Sequence, residues 1–270
     1  MTNPAPFPVG VAFLLCACAP QDDGALGQPE TTPEPPVAMS DPPAPQAQPS
    51  AVRIVEQNAL IDFTASWPAE AAAVEAIDAR FREQAATSKA ELIRMAEEEG
   101  SLSTQQQREF NGLSTSTEWT TAGESELLLS LSAAVSSYTG GAHPNYGTAT
   151  LLWDRAANEE RRVSALFGGA GSMTQTLGTR FCDRLDAERD DRRGGIAVDG
   201  MFGECPPLSD ISVIPTDSDR NGLFDQFVLV ADPYVAGPYA EGEYRITLPV
   251  DAAIAAALDA RYAGEFETVR

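Results

Sequence analysis

The chain has 270 residues, and its 40 acidic and 18 basic side chains give it a net charge of −22 at neutral pH. Because such a polyanion repels phosphate backbones and no segment supplies a basic stripe, the composition excludes binding to nucleic acid. The chain has a single histidine, His143. This excludes multi-histidine zinc sites and reactions that need two imidazole groups, and we expect no cofactor.

The N-terminal segment has the features of a lipoprotein leader. An apolar stretch at residues 9–15 is too short for a bilayer span, which takes about 20 residues, but it fits the apolar region of a signal peptide. It ends in Leu-Cys-Ala-Cys, the pattern at which a leader is cleaved and the last thiol acylated. We predict a signal peptide over residues 1–17 and a membrane anchor on Cys18. Because Ala19 is not acidic, we expect the outer membrane, facing the periplasm.

The segment after this cysteine is predicted to be disordered. Residues 19–50 contain nine prolines and five acidic residues, with no basic residue and almost no large apolar side chain. Such a composition cannot bury enough surface to offset the entropy of ordering. We therefore predict that residues 18–50 form an acylated cysteine and a Pro-rich tether that holds a folded module away from a membrane.

The first half of the folded part combines strands with one long helix. An extended region at 53–67 is interrupted near Asn58, where a bulge or hairpin is expected. Apolar residues at steps of three and four then predict an amphipathic helix from residue 68 to residue 99, ended by residues 100–104. Two alternating runs at 114–121 and 127–138 predict antiparallel strands, joined by a turn at residues 123 and 124.

The second half repeats the mixture of strands and helices. A loop at 139–147 leads into a strand at 148–154, and a short turn near residue 165 leads into a helix at 172–191. The remaining predicted elements are strands at 211–215, 224–231 and 243–249 and a terminal helix at 251–263, capped by Asp251. The order predicts an α+β fold with a largely antiparallel sheet, three main helices and two small subdomains.

Two cysteines lie in the folded part, Cys182 and Cys205. An even pair in an exported protein predicts a disulfide, and the spacing excludes a metal or redox site of the Cys-x-x-Cys type. The alternative is a pair of unbonded, buried thiols.

Two loops are candidates for ligand contact. The first carries glycines that permit positive φ angles and presents imidazole, amide and phenol groups, at Thr139, Gly140, Gly141, His143, Asn145 and Tyr146. The second, at 233–242, carries Tyr234 and Tyr239 around glycines and a proline, and such aromatics suit stacking on sugar rings or anchoring a protein partner. The alternatives are a tight turn for the first loop and packing of the tyrosines on the terminal helix for the second.

Two further charged stretches have less specific patterns. The first half of a calcium loop is matched by Asp217, Asp219, Asn221 and Asp225, but Val228 stands where a bidentate acid is expected. A polar hairpin turn explains this stretch better than a metal site does. The charged run at 183–193 is predicted to be a solvated helix end.

Several of these motifs resemble a known pair of bacterial domains. Thr-Gly-Gly-Ala-His-Pro-Asn-Tyr at 139–146, followed by Leu-Trp-Asp at 152–154, resembles the RsiV-type extracytoplasmic domain, and Pro-Tyr-Val-Ala-Gly-Pro-Tyr-Ala at 233–240 resembles its closing segment. Residues 52–138 resemble the companion domain of PdaC peptidoglycan deacetylases and SigV-associated proteins. The resemblance implies one domain at 51–138 and a second at 139–265.

The resemblance carries over to function only in part. Deacetylation in PdaC-like proteins resides in a separate metal-dependent domain with paired histidines, which a single histidine cannot supply. Anti-sigma function needs a sigma-binding segment and a transmembrane helix, and residues 1–50 contain neither. The envelope-facing domain of RsiV-like proteins binds lysozyme, and residues 53–270, with 35 acidic and 18 basic side chains, would attract such a basic protein at a net charge of −17.

We therefore expect a non-catalytic envelope lipoprotein that binds a lysozyme-like protein or a peptidoglycan fragment through the two loops. One alternative is an envelope carbohydrate-modifying hydrolase that uses His143 and nearby carboxylates. Another is a lipoprotein with a purely structural or assembly role.

Overall fold

The structure is a computed structural model that describes residues 49–196 and 200–269. The predicted signal peptide, the predicted anchor at Cys18 and nearly all of the tether lie outside these residues. Within the described ranges, no helix combines the length and the apolar composition needed to cross a bilayer.

Six strands form the first sheet, and their order in the sheet follows their order in the chain. They are β1 (Val52–Gln57), β2 (Ile61–Trp67), β3 (Leu113–Glu124), β4 (Leu128–Tyr138), β5 (Asn145–Asp154) and β6 (Glu159–Arg161). All neighbours pair antiparallel except β2 and β3. The predicted break near Asn58 is a hairpin turn, in which the Asn58 side chain accepts hydrogen bonds from the amides of Leu60 and Ile61.

The parallel pair is connected by α1 (Ala69–Ala72) and α2 (Glu75–Gln105), which cover one face of the first sheet. The predicted helix end at residues 100–104 is wrong, because the helix continues through Gly100 to Gln105. The Thr104 hydroxyl bonds back to the Gly100 carbonyl at 2.9 Å, and the buried Ser103 keeps the last turn packed. The chain leaves the helical direction only at Gln107, whose φ is +54°.

Alternating residues of the strands form the core beneath α2. On β2 every second residue is buried, as the two-residue period of a half-buried strand requires. The largest members of this core are Phe63, Trp67, Phe81, Leu92, Leu129, Leu131 and Trp153.

The second sheet is smaller and packs against the other two helices. It contains β7 (Ser212–Thr216), β8 (Gln226–Ala231) and β9 (Tyr244–Pro249), all antiparallel. One face packs on α3 (Ala170–Arg193) and α4 (Ala252–Ala257), around a core that includes Leu177, Phe181, Phe227, Leu229, Tyr244 and Ile246. The α+β class with largely antiparallel pairing is confirmed, with the strands divided between two sheets.

Strand β7 crosses the face of the first sheet that is turned away from α2. The Ser212 hydroxyl donates to the Thr148 carbonyl on β5 at 3.2 Å, and the Asp217 amide donates to the Ala122 carbonyl on β3 at 3.1 Å. At this crossing Gly123 sits beside a β-bulge, and a Cβ there would lie only 2.7 Å from the Asp217 nitrogen. The predicted turn at residues 123 and 124 is therefore wrong, since these residues continue β3 and the chain turns at 125–127.

Two other predicted boundaries differ from the structure. Asp251 caps α4 as predicted, but the helix ends at Ala257 rather than at residue 263, because the Asp259 amide donates instead to the Leu166 carbonyl at 2.7 Å. Strand β5 begins at Asn145, so the preceding loop is limited to residues 139–144. Since β5 and β6 both pair into the first sheet, the predicted domain boundary at residue 138 falls inside this sheet.

Candidate functional site

The two candidate loops are far apart in the sequence, with Pro144 and Tyr239 separated by 95 positions, but they meet in the fold. The His143 ring stacks on the Tyr239 ring, with ring centroids 3.8 Å apart and an angle of 20° between the planes. The Tyr239 hydroxyl donates to the Pro144 carbonyl at 2.7 Å. The loop before β5 is therefore held against the loop before β9 by one stacked pair and one hydrogen bond.

Two more tyrosines complete an aromatic cluster, which we call the aromatic surface: His143, Tyr146, Tyr234 and Tyr239. The Tyr146 ring meets Tyr239 edge-on with centroids 5.6 Å apart, and the Tyr234 ring lies 5.8 Å from Tyr239. Tyr146 is 39% exposed and Tyr234 is 52% exposed. The surface thus offers large rings to solvent, together with phenol hydroxyls that can form hydrogen bonds.

The backbone of Tyr234 adopts an unusual conformation. Its φ is +72°, a left-handed value that costs free energy for a residue with a bulky side chain. The Tyr234 amide donates to the Gly237 carbonyl at 2.9 Å, which closes a tight turn around residues 234–237. Such strain persists only where neighbouring structure enforces it, so the contacts beneath this loop are of interest.

Helix α3 supplies these contacts through two arginines. The guanidinium group of Arg189, only 3% exposed, donates to the Ala236 carbonyl at 2.8 and 3.1 Å and to the Glu204 carbonyl at 3.0 Å. One turn later, Arg193 forms an ion pair with Glu241 at 2.8 Å. The prediction that the charged run at 183–193 is a solvated helix end holds for most of its charged residues, which are exposed, but it is wrong for Arg189 and Arg193, which bind the loop.

Further contacts around Glu241 strengthen the attachment of the loop to Arg189 and Arg193, which we call the arginine clamp. The hydrogen bond from Arg193 holds the pKa of the Glu241 carboxyl below its ordinary value, and the Tyr244 hydroxyl also donates to this carboxylate. A Cβ on Gly237 would collide with the carboxylate and would lie 3.0 Å from the Tyr244 ring. A side chain at position 237 would therefore displace the Glu241 carboxylate that Arg193 binds.

The predicted disulfide between Cys182 and Cys205 is present, with the two Cα atoms 5.6 Å apart. It joins α3 to the segment that precedes β7, beside the Glu204 carbonyl that Arg189 binds. The disulfide and Arg189 therefore fasten the same segment to the same helix.

A shallow groove of about 310 Å³ lies beside the aromatic surface, lined by residues of β4 and β5 and by Asp232. One Asp232 oxygen, Oδ2, accepts a hydrogen bond from the Thr148 amide at 2.9 Å. The other, Oδ1, has no hydrogen-bond partner among the described residues. Asn145 and Tyr146 contribute to the same groove, which places an amide and a carboxylate next to an exposed ring.

The structure separates the predicted ligand residues into two groups. His143, Tyr146, Tyr234 and Tyr239 form the aromatic surface, and Asn145 lines the groove. The remaining predicted residues, Thr139, Gly140 and Gly141, lie at the exposed loop tip, where the two glycines have φ values of +84° and +137°. The tip is fastened by the Tyr138 hydroxyl, which donates to the Gly141 carbonyl at 3.2 Å.

Three residues of this region were not predicted as site residues: Arg189, Arg193 and Asp232. The two arginines are four residues apart and so share one face of α3. That spacing is a signal that the sequence contains, whereas nothing near Asp232 in the sequence indicates that it reaches β5.

The acidic stretch weighed as a calcium loop forms the turn between β7 and β8. Asp217 accepts hydrogen bonds from the amides of Arg220 and Gly222 at 2.7 and 2.9 Å. Asp225 accepts one from the Ser218 amide at 2.9 Å. Both carboxylates thus organise the turn itself, and in the described part of the chain no group of three or more metal-ligating side chains comes together. Asp219 and Asn221 bond to each other within the same turn.

Comparison with protein families identifies one part of the chain. Residues 54–146 match the family model described as deacetylase PdaC. The match contains β2 to β4, most of β1 and the start of β5, and it confirms the PdaC resemblance predicted for residues 51–138. The RsiV-type resemblance of residues 139–265 stays a prediction. No curated protein matches the chain.

Two solved structures are similar to the chain. One is a member of the DUF3298 family from Bacteroides fragilis, with 16% identity and a TM-score of 0.50 over 80% of this chain and 95% of that chain. The other is a DUF3298 family protein from Pseudomonas aeruginosa, with 14% identity and a TM-score of 0.41 over 78% of this chain and 94% of that chain. The similarity to the Bacteroides protein extends to the fold and no further.

Proposed function

We propose that this protein is a non-catalytic module of the bacterial cell envelope that binds peptidoglycan fragments through the aromatic surface. The observation that carries the proposal is the meeting of four rings from two separate loops and from the start of β5. An isolated exposed tyrosine is ordinary on a protein surface, but a cluster held by stacking and by a buried clamp is typical of a binding site.

The chemistry of the surface suits a sugar ring. A pyranose has an apolar face, which packs on an aromatic ring, and a rim of hydroxyl groups, which bind amides and carboxylates. Tyr146 and Tyr234 offer exposed rings, while Asn145 and Asp232 offer polar groups in the adjoining groove. The match of residues 54–146 to the family of a deacetylase that, by resemblance, acts on peptidoglycan supports a ligand from the cell wall.

Binding without catalysis is favoured by the surroundings of His143. Its Nδ1 atom lies 2.9 Å from the Pro144 carbonyl, and its ring is stacked on Tyr239. Both contacts hold the imidazole in place as a structural part of the aromatic surface. The hydrolase alternative requires instead a carboxylate that orients this ring.

The envelope location is part of the proposal. It rests on the lipoprotein pattern ending at Cys18 and on the disulfide between Cys182 and Cys205, a bond that persists in oxidising compartments. In this arrangement the tether at 18–50 gives the folded module reach from the outer membrane towards the cell wall.

A second candidate ligand is a basic protein of the lysozyme type. The observation that favours it is charge, since residues 53–270 carry 35 acidic against 18 basic side chains, a net charge of −17. Such a field accelerates the encounter with a cationic partner, and clustered tyrosines are frequent anchors of protein interfaces.

The test is co-sedimentation of the purified protein with insoluble peptidoglycan, repeated with a catalytically inactive lysozyme as a soluble competitor, so that the competitor does not digest the pellet. We expect the protein to sediment with peptidoglycan at low and at high salt, because stacking on neutral sugars is little affected by screening. Tyr234→Ala should weaken sedimentation at least tenfold, the cost of about 1.4 kcal/mol in binding.

The matched control is Leu102→Ala, which shortens a side chain on α2 that is 46% exposed, close to the 52% of Tyr234. It should leave sedimentation unchanged. Loss of all binding at high salt, or binding to lysozyme alone, would favour the basic-protein candidate. Release of soluble sugars that stops in His143→Ala would support the hydrolase alternative and contradict the proposal.

A further inference from the structure

The face of the first sheet opposite α2 carries an unusual row of side chains. The strand register aligns Tyr146 on β5 with Ser136 on β4, then with Ser116 on β3 and Thr64 on β2, and finally with Val55 on β1. Residues aligned across neighbouring strands point to the same side of a sheet. We call Ser136, Ser116 and Thr64 the hydroxyl row, and it begins at the aromatic surface.

The row is open along its length. Tyr146 is 39% exposed and Val55 is 54% exposed at the two ends, and the three hydroxyl residues between them are half-buried, so that each keeps some contact with solvent. Because neighbouring strands lie about 4.8 Å apart, five strands span about 19 Å. The row is therefore long enough for several sugar rings and too flat to enclose a small ligand.

The charge of this face is low for a protein so acidic. The hydroxyl row itself has no ionisable side chain. The line of residues on one side of it contains Arg53 and Glu118, which form an ion pair at 3.2 Å, and the line on the other side contains one carboxylate, Asp62, which accepts a hydrogen bond from Gln57 at 3.1 Å. A basic protein would gain little binding free energy from docking here, since it would meet mostly hydroxyls and few carboxylates. A neutral chain rich in hydroxyl groups matches the face better.

We propose that an extended, neutral glycan strand lies across the first sheet, from the aromatic surface along the hydroxyl row to Val55. The tyrosines hold one end of the strand, and Ser136, Ser116 and Thr64 exchange hydrogen bonds with successive sugars. This inference rests on the proposed function, and it adds that affinity rises with the length of the glycan. A single sugar ring reaches only the aromatic surface.

The experiment is calorimetric titration of the full protein with β-1,4-linked N-acetylglucosamine oligomers, comparing the disaccharide with the hexasaccharide. Because the longer glycan adds two or three hydrogen bonds, the hexasaccharide should bind about tenfold or more tightly than the disaccharide. Ser116→Lys places a long charged side chain in the middle of the row. This variant should remove the increase in affinity with glycan length and leave the affinity for the disaccharide unchanged.

Ser101→Lys, at an exposed position on α2, is the matched control and should keep the full gain with length. Thr64→Lys is a second blocking variant, used where circular dichroism shows that Ser116→Lys has lost its fold. Equal affinity for the two oligomers, or a gain that survives both blocking variants, overturns this inference and leaves the proposed function intact. Failure of both oligomers to bind the unmodified protein overturns the proposed function and the inference with it.

Discussion

The two loops that form the aromatic surface are held in place by different means. The loop at 233–242 is bound from beneath by charged groups of α3, through the buried Arg189 and through the ion pair of Arg193 with Glu241. The loop at 139–144 is held by exposed contacts, namely the stacking of His143 on Tyr239, the hydrogen bond from Tyr239 to Pro144 and the hydrogen bond from Tyr138 to Gly141.

The difference implies that the position of one loop depends on the position of the other. Helix α3 and the disulfide position the loop at 233–242, and this loop in turn positions the loop at 139–144. Damage to α3 should therefore disturb both loops, whereas damage to the exposed contacts should release only the second. Four predictions test this order, beginning with the largest effect.

Arg189→Met should have the largest effect, because it removes the charged donor from two carbonyls: the buried one of Ala236, which keeps only a hydrogen bond of 3.4 Å from Arg193, and the partly buried one of Glu204. Each such acceptor costs about 1 to 3 kcal/mol, so we expect a loss of about 4 kcal/mol in the free energy of unfolding, measured by urea denaturation. Arg184→Met makes the same change at an exposed position of α3 and should cost less than about 0.5 kcal/mol. Equal costs at the two positions would refute the clamp.

Replacement of both Cys182 and Cys205 by serine should come next. Removing a cross-link between residues 23 positions apart should cost about 3 kcal/mol through the entropy of the unfolded chain. Reduction of the unmodified protein with dithiothreitol should produce the same fall in the urea midpoint, and the double variant should not respond to the reductant. A midpoint in the unmodified protein that ignores the reductant would contradict the prediction.

Glu241→Gln tests the ion pair through its dependence on pH. The folded pKa of Glu241 lies below its ordinary value of 4.5, so its stabilising contribution is present above pH 4.5 and is lost as the pH falls through the folded pKa. At pH 7 the variant should be less stable by about 2 kcal/mol, as for a hydrogen bond to a charged group. This difference should shrink in acid, and a difference that stays constant down to pH 3 would exclude the ion pair as its source.

Tyr239→Phe should have the smallest effect on stability, about 0.5 kcal/mol, because it removes one exposed hydrogen bond and keeps the stacked ring. Hydrogen exchange followed by mass spectrometry should nevertheless show faster exchange in residues 139–144. Peptides from the loop at 233–242 should exchange at the rate of the unmodified protein. Faster exchange in both loops would mean that they depend on each other equally.

Local features of this fold could be predicted from the sequence, and long-range ones could not. The Asp251 cap and the turn at Asn58 each depend on bonds within three residues, and both appear in the structure as predicted. Gly123 was predicted to mark a turn, because the reason for a glycine there, the crossing of β7 more than 90 residues later, leaves no trace in its neighbours.

In the candidate site, too, local features could be predicted from the sequence and long-range contacts could not. Both loops could be recognised from their glycines, prolines and aromatic residues, yet nothing in the sequence indicates that Tyr239 bonds to Pro144, 95 positions away. The arginine clamp was missed for a related reason. A charged helix end is usually solvated, and only the packing of the loop onto α3 makes Arg189 a buried donor.

The order of strands in the first sheet bears on how the molecule assembles during synthesis. Every strand from β1 to β6 lies beside the strand that precedes it in the chain, so each can join the sheet as soon as it has been made. The last strand of the sheet ends at Arg161, so the sheet and its hydroxyl row need no residue beyond that position. The aromatic surface does, because Tyr234 and Tyr239 must reach His143 and Tyr146 from the second half of the chain.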